Sequence, residues 1–215
     1  MTDSIEIDFI WTDLAAAPSL DKLERLGEQT DRYVTSMSPM DVVSLWDETN
    51  IPSVGADLDT HEADADWFTL PSLPAVSMDL ATSDFEQSPD LEATTRNLID
   101  QVEYIYLSVD GCQYVYGLNV EHQHKLASDR EPGIPVSQES LADNRIKAVS
   151  WLMMFSPELA EEYGREWLLS APAWERRELD DGAIMLVTSH DPTNWNKAST
   201  ARQDLANYLT FPDSR

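Results

Sequence analysis

Several residue types are scarce in this sequence, and each shortage excludes a class of structure or chemistry. The single cysteine, Cys112, excludes an intramolecular disulfide. Seven glycines in 215 residues leave few loops that could cradle a phosphate, and the sequence contains no GxGxxG, P-loop or GxSxG pattern. Four histidines are too few for a histidine-rich metal site without carboxylate ligands. The sequence therefore argues against glycine-rich nucleotide sites, hydrolase nucleophile elbows and disulfide scaffolds.

Cations are scarce relative to acids. The chain has 14 Lys and Arg residues against 40 Asp and Glu residues, a formal net charge of −26, and the acids are spread along its whole length. Such a charge destabilises a compact state in dilute buffer, but at molar salt the Debye length falls to about 3 Å and the repulsion is screened. The composition predicts an extreme halophile as the source. A nucleic-acid mimic, or a protein matched to a basic partner, is the alternative, although mimicry usually concentrates its charge.

The same composition bears on partners and location. The sequence has no basic stripe that would displace counterions from a phosphate backbone, so we expect no nucleic-acid partner. No apolar run approaches the length of a membrane span, and the first residues do not resemble a signal peptide, so we expect no membrane partner. With a hydrophobic content of 42%, the chain is expected to be a globular, soluble and cytoplasmic protein.

Residues 145–195 carry the clearest structural pattern. The run from Arg145 to Phe155 starts polar and becomes continuously apolar, which is typical of a strand that enters a sheet covered on both faces. Ser156-Pro157-Glu158 predicts the start of a helix that ends at Gly164, and a second short helix follows over 165–169.

A hairpin is predicted next. Two runs rich in β-forming residues, 174–179 and 183–188, flank Asp180-Asp181-Gly182, which is a strong turn signal. The first run carries four charges and is expected at an edge of the sheet, whereas the second is apolar and is expected in the centre. A last helix, capped by Asn194 or Asn196, should run to about Leu209.

The N-terminal half predicts further elements of both kinds. By alternation and spacing we expect a strand over 4–11, a helix from Pro18 to Tyr33, a helix starting at Ser38-Pro39, a strand pair at 67–70 and 75–80, a helix from about Pro89 to Asp110 and a strand over 114–120. The predicted fold class is α+β, a mixed or antiparallel sheet with helices packed on it. Its C-terminal order is strand, helix, hairpin, helix.

Residues 1–215 are expected to form a single α+β domain. Both halves can nevertheless be written as a strand, a Ser-Pro helix, two strands and a helix, which leaves a duplication with half-domains 1–110 and 111–215 as an alternative. The irregular segment 121–143 has no counterpart in the first half.

Four patterns resemble chemical sites only in part. His122 and His124 lack a third and fourth ligand of suitable type, and the acidic loop 57–66 lacks the Gly and the terminal Glu of a calcium loop. Cys112 stands before an apolar strand, where an inert buried thiol is more common than a nucleophile. The adjacent residues 189–191 contain triad residue types but are too close in sequence to form a triad. We therefore predict no catalytic residue, no metal site and no cofactor.

A binding surface is the more promising interpretation. Trp195 lies between two Asn residues after Pro192 ends a strand, and an exposed Trp favours binding; packing against the last helix is the alternative. The candidate binding residues are Trp195, Asp180, Asp181 and Asp191.

Part of this stretch resembles a known class of proteins. The run Trp151 to Glu158, the segments 163–166 and 171–173, and the run Asp181 to Leu186 are similar to the C-terminal half of the immunity proteins of bacterial polymorphic-toxin systems, the Imm52-like class. The resemblance covers about 50 residues. It implies a small α+β protein that binds and neutralises a partner protein, with no catalytic residues to transfer.

The leading functional hypothesis is thus a non-enzymatic intracellular protein-interaction protein from an extreme halophile. One alternative is a small hydrolase or metal-dependent enzyme centred on His122 and His124. Another is a structural or assembly protein whose acidic surface serves solubility alone. The oligomeric state does not follow from the sequence.

Overall fold

A computed structural model describes residues 4–11, 41–46, 75–119, 136, 140, 143–146, 148–193 and 199–209. Its strands are β1 (Ser4–Ile10), β2 (Asp41–Trp46), β3 (Ala75–Ala81), β4 (Tyr114–Asn119), β5 (Leu152–Phe155), β6 (Glu175–Glu178) and β7 (Ile184–Val187). Its helices are α1 (Thr82–Glu86), α2 (Leu91–Ser108), α3 (Pro157–Tyr163), α4 (Arg165–Leu169) and α5 (Ser199–Tyr208).

The seven strands form one sheet in the order β2-β3-β1-β4-β5-β7-β6. Each neighbouring pair is antiparallel. The predicted α+β class is confirmed, and so is the C-terminal order of strand, helices, hairpin and helix. The charged strand β6 lies at the edge, and the apolar strand β7 lies between β5 and β6, as predicted.

Helices cover both faces of the C-terminal half of the sheet. Arg177 of β6 binds carboxylates of helix α2, which places α2 on one face. Glu178, the next residue, points to the opposite face and binds Arg165 of α4. Strands β5 and β7 are buried along their whole lengths between these layers, which explains their unbroken apolar sequences.

The centre of the sheet is packed around Trp151, which is fully buried. Its indole nitrogen donates a hydrogen bond to the backbone oxygen of Ser189 at 2.9 Å. On the neighbouring strand β4, a Cβ added at Gly117 would lie only 3.1 Å from the Trp151 ring and 3.2 Å from Leu152. A larger residue at this position would therefore push β4 away from the tryptophan.

Local signals set the helix starts as expected. Ser156 caps α3, because its hydroxyl accepts a hydrogen bond from the Leu159 N–H at 3.3 Å, and Pro157 occupies the first turn. Asp90 caps α2 in the same way through the Ala93 N–H at 3.0 Å. The predicted helices over 157–163 and 165–169 are confirmed at those bounds, and the helix predicted from about 89 to 110 is confirmed with each end two residues shorter.

Three predictions of local structure were wrong. The helix expected from Ser38-Pro39 is instead a strand at 41–46, because the short apolar run suits both periodicities and pairing with β3 decides between them. The strand predicted at 75–80 is confirmed as β3, but its predicted pairing with 67–70 is wrong, since β1 and β2 occupy both edges of β3. Residues 67–70 themselves lie outside the described residues.

The third correction concerns the strand expected from Arg145, which starts only at Leu152. The backbone N–H groups of Arg145 and Ile146 are hydrogen-bonded outside the sheet. The Arg145 N–H donates to the Ser140 backbone oxygen at 2.6 Å, and the Ile146 N–H donates to the Tyr163 hydroxyl at 2.8 Å. Alternation alone did not reveal these competing partners.

The two halves of the sheet have matching strand orders. The order β1-β3-β2 on one side of β4 corresponds to β5-β7-β6 on the other side. The proposed correspondence of the two Ser-Pro segments does not hold, since a helix follows Ser156-Pro157 and a strand follows Ser38-Pro39. Within the described ranges, no helix is long and apolar enough to cross a membrane.

Candidate interaction surface

Three of the residues predicted to bind a partner are described by the structure, and these three do not form one cluster. Trp195 lies outside the described residues, as do His122, His124 and the acidic loop 57–66. Asp180 and Asp181 occupy the turn between β6 and β7, whereas Asp191 follows the opposite end of β7. The length of β7 separates them by more than about 10 Å, at about 3.4 Å per residue. Asp180 and Asp181 therefore do not share one cluster with Asp191, and a binding role for these acids stays a prediction.

Asp181 has a structural role in the hairpin turn. Its Oδ1 accepts a hydrogen bond from the Ala183 N–H at 2.9 Å, and the Gly182 N–H donates to the Leu179 oxygen at 2.9 Å. Gly182 has a φ of +93°, a conformation that favours glycine. The Asp-Gly sequence thus forms the tight turn that it predicted, and Asp180 is exposed beside it.

Asp191 also organises its own loop. Its Oδ1 accepts hydrogen bonds from the Thr193 N–H at 3.0 Å and from the Thr193 hydroxyl at 2.7 Å. The Ser189 hydroxyl donates to the Asp191 backbone oxygen at 3.0 Å. These contacts make a side-chain-stabilised turn after β7. They do not align Ser189 as a nucleophile.

A network of arginines and carboxylates dominates the edge of the sheet instead. Arg177 of β6 donates to Asp100 at 2.8 Å, to Glu175 at 2.6 Å and also to Glu103. Partial burial would lower the pKa of Arg177, but the hydrogen bonds to these three carboxylates outweigh it and raise that pKa. The guanidinium is held permanently charged and fixed in orientation, joining β6 to helix α2.

A tryptophan and a second arginine extend this network at one end of β6. The guanidinium carbon of Arg96 lies 4.7 Å from the centre of the Trp174 ring, a cation–π contact. Arg96 also binds Glu175 at 2.6 Å and Glu92 at 3.0 Å. The Glu92 hydrogen bond is the main cause that raises the pKa of Arg96. Glu175 thereby bridges Arg96 and Arg177 through its two oxygens.

His190 completes the surface. Its ring centre is 6.1 Å from that of Trp174, and its backbone oxygen accepts a hydrogen bond from the Thr95 hydroxyl at 2.7 Å. We refer to the set formed by the following five residues as the Trp174 surface. They are Arg96, Trp174, Glu175, Arg177 and His190.

The sequence pattern indicates only part of this arrangement. The pattern Glu175-Arg176-Arg177-Glu178 indicated an edge strand but not the contacts of its side chains, and Trp174 packs against the core while its ring also carries Arg96. The partners of Arg177 on α2 are more than 70 positions away in sequence. A clue was present in the composition, since an arginine pair is conspicuous in a chain with so few cations.

Cys112 is an inert core residue. It is 5% exposed, and its thiol donates to the Tyr114 backbone oxygen at a sulfur–oxygen distance of 3.6 Å. Burial raises the pKa of the Cys112 thiol to about 12, which disfavours the nucleophilic thiolate. In the part of the chain that the structure describes, no cluster of three or more His, Cys, Asp or Glu residues could hold a metal ion.

One carboxylate is buried away from this edge. Asp8 of β1 is 5% exposed, and it lies opposite Tyr116 in the register of β1 and β4. Burial raises the pKa of Tyr116, and the neighbouring Asp8 and Glu6 raise it further. The protonated phenol hydrogen-bonds to the Asp8 side chain. This contact gives the buried carboxylate a hydrogen-bond donor, as is usual for a polar group within a core.

Comparison with protein-family models, with curated proteins and with solved structures found no match to this chain.

Proposed function

We propose that this protein is a non-enzymatic interaction protein that captures a protein partner on the Trp174 surface. The observation that carries the proposal is the stacking of Arg96 on Trp174 at the edge of the sheet. Trp and Arg are the residue types that most often dominate binding energy at protein interfaces. Here the Trp174 ring is half-buried, and carboxylates already hold the Arg96 guanidinium against it.

The geometry supports binding because the side chains are ordered before a partner arrives. Immobilising a long side chain at an interface costs about 0.5–1.5 kcal/mol. Arg96 and Arg177 are already fixed by Glu92, Glu175 and Asp100. Most of the side-chain entropy that binding would otherwise remove is therefore already lost when the protein folds.

Charge suggests the chemistry of the partner. Around the two arginines stand four carboxylates, those of Glu92, Asp100, Glu103 and Glu175, so the Trp174 surface and its surroundings are acidic. A basic protein surface with an apolar recess for the indole is the complementary partner. The resemblance of residues 145–195 to toxin-immunity proteins leads us to propose a toxin as that partner.

The setting that we propose is the cytoplasm of an extreme halophile. The support is the net charge of −26, which is spread along the chain and requires molar salt for screening. Under those conditions long-range attraction is weak, so capture must depend on close contacts such as those of Trp174.

Trp174→Ala tests the capture surface directly. We expect this variant to lose a partner that the wild-type protein retains in a pull-down at molar KCl, with the partner then identified by mass spectrometry. Leu107→Ala is the matched control, because Leu107 is 43% exposed and lies on the same helix as Arg96, about 16 Å further along. Equal capture by wild-type protein and Trp174→Ala would refute the proposed surface.

Trp195→Ala is a second test, on a residue that lies outside the described part of the chain. We expect little change in the melting temperature and weaker capture. The enzyme hypothesis centred on His122 and His124 stays open, and elemental analysis decides it. One tightly bound metal per chain that is lost when both histidines become Ala would favour the enzyme.

A further inference from the structure

Strand β6 has an open outer edge. No described residue pairs with it on the side away from β7. The Leu179 N–H donates to the Ala183 oxygen at 2.9 Å, so the alternation of an antiparallel ladder turns the backbone groups of Glu175 and Arg177 towards β7 as well. The N–H and C=O groups of Arg176 and Glu178 consequently point outwards, and both residues are exposed. The edge offers two donors and two acceptors.

The two outward-facing residues carry opposite charges on one face of the sheet. Arg176 uses its Nη1 to donate to the Ala171 oxygen at 2.9 Å and to the Ala173 oxygen at 3.3 Å. No described residue accepts a hydrogen bond from its Nη2 or Nε, so both nitrogens are left for another acceptor. Glu178 binds Arg165 through Oε1. Its second oxygen remains for another donor.

We propose that two copies of this chain pair through β6 about a two-fold axis at Arg177. In antiparallel pairing centred there, Arg176 of one copy lies opposite Glu178 of the other, and the reverse pair follows by symmetry. Each of these two pairs exchanges two backbone hydrogen bonds, and each brings opposite charges together on the same face. The two sheets become one continuous sheet.

Charge selects this register over its neighbours. A shift of two residues keeps the backbone bonding pattern but places Arg176 opposite Arg176, or Glu178 opposite Glu178. An unrelated apolar strand has no charges to match Arg176 and Glu178, so these charges discourage its pairing with β6. A second copy of β6 carries the complementary charges, so the same residues permit self-pairing. Since every copy carries −26, the association requires salt that screens long-range repulsion.

The central residue of the interface is also compatible with pairing. Arg177 would face its own symmetry mate, but each Arg177 is already bound by Asp100, Glu103 and Glu175. The repulsion between two guanidinium groups is therefore offset within each copy. The pairing leaves the two Trp174 rings on opposite sides of the two-fold axis.

A charge-reversal experiment tests the dimer and its register together. In sedimentation equilibrium at molar KCl, the wild-type chain of 24.3 kDa should associate to twice that mass. Arg176→Glu places like charges opposite each other at both symmetric contacts, and so does Glu178→Arg. Each variant alone should dimerise at least about tenfold more weakly. An equimolar mixture of the two variants should recover the dimer, because every cross-interface pair is again opposite in charge.

The matched control is Glu86→Arg, which makes the same change of charge as Glu178→Arg on an exposed residue of α1 in the other half of the protein. It should dimerise like the wild type. A wild-type chain that stays monomeric throughout a dilution series overturns the proposal, and a mixture that stays as weak as the single variants overturns the register.

A second measurement needs no variant and covers the case in which a reversal impairs folding. Amide hydrogen exchange at Arg176 and Glu178 should slow as the concentration of the wild-type protein rises, because both outward N–H groups become hydrogen-bonded. Exchange that is independent of concentration at these two amides contradicts pairing through β6. This outcome is separate from the fate of the Trp174 surface, which a pull-down reports.

Discussion

Truncation of Leu186 to Ala tests the layered packing of the C-terminal half. Leu186 is fully buried in the middle of β7, opposite Met153 of β5 and Arg176 of β6. Strands hold β7 on both sides, and helices cover both faces. The backbone therefore has little freedom to close the space that the lost side chain leaves.

The expected loss of stability follows from two contributions. Removing three buried carbon atoms costs about 2.4 kcal/mol at about 0.8 kcal/mol for each group. The unfilled cavity adds to this, so we expect a total of about 3–4 kcal/mol, within the range of about 2–5 kcal/mol typical of buried leucines. For a chain of this length, the melting temperature should fall by roughly 6–16 °C.

Urea unfolding at molar KCl, followed by circular dichroism, measures this loss. Leu107→Ala is the matched control, since Leu107 is 43% exposed on α2 and its truncation should change the free energy of unfolding by less than about 0.5 kcal/mol. A loss below about 1 kcal/mol for Leu186→Ala would show that the face is open or plastic. The conclusion that helices cover both faces of β7 would then be wrong.

Three further predictions concern charge and the buried thiol. The urea midpoint of the wild-type protein should rise from dilute buffer to molar KCl, because salt screens the repulsion of a chain with a net charge of −26; a falling midpoint would refute the halophile proposal. Arg177→Met should lower the free energy of unfolding by about 1–3 kcal/mol in the same assay, because Glu103 and Glu175 lose a hydrogen-bonding partner, and Arg177→Lys should recover part of the loss. An unchanged urea midpoint in Arg177→Met would show that the Arg177 network does not stabilise the fold. The pKa of Cys112 is raised from 9.0 to about 12, so its contribution to stability is present below pH 9 and is lost as the pH rises towards 12. At pH 9 a thiol reagent should label Cys112 only at the rate of unfolding, and rapid labelling of the native protein would contradict its burial.

Local sequence signals predicted most of the elements correctly where the interactions are themselves local. Ser156 caps the helix that follows it, and Asp181 with Gly182 forms the turn between β6 and β7. Each of these contacts joins residues no more than three positions apart, so the sequence contains both partners side by side. The unbroken apolar run of β7 likewise indicated burial on both faces.

For short segments whose pattern fits more than one structure, pairing within the sheet determined which structure forms. Residues 41–46 fit a helix or a strand by spacing, and pairing with β3 made them a strand. The segment from Arg145 suggested a strand, but backbone hydrogen bonds to Ser140 and Tyr163 kept its first residues out of the sheet. Such partners are set by the three-dimensional path of the chain, which periodicity does not encode.

The sequence by itself determined the charge of this protein, its α+β class, its hairpin and the edge position of its charged strand, because composition and short-range patterns are sufficient for these. Only the tertiary structure decided which residues form the candidate surface. Trp174 is half-buried and packs against the core, but its ring also carries Arg96, a contact that no sequence pattern indicates. The length of β7 separates Asp191 from Asp180. Contacts between a helix and a strand more than 70 positions apart depend on how the layers pack, and packing is a property of the whole chain.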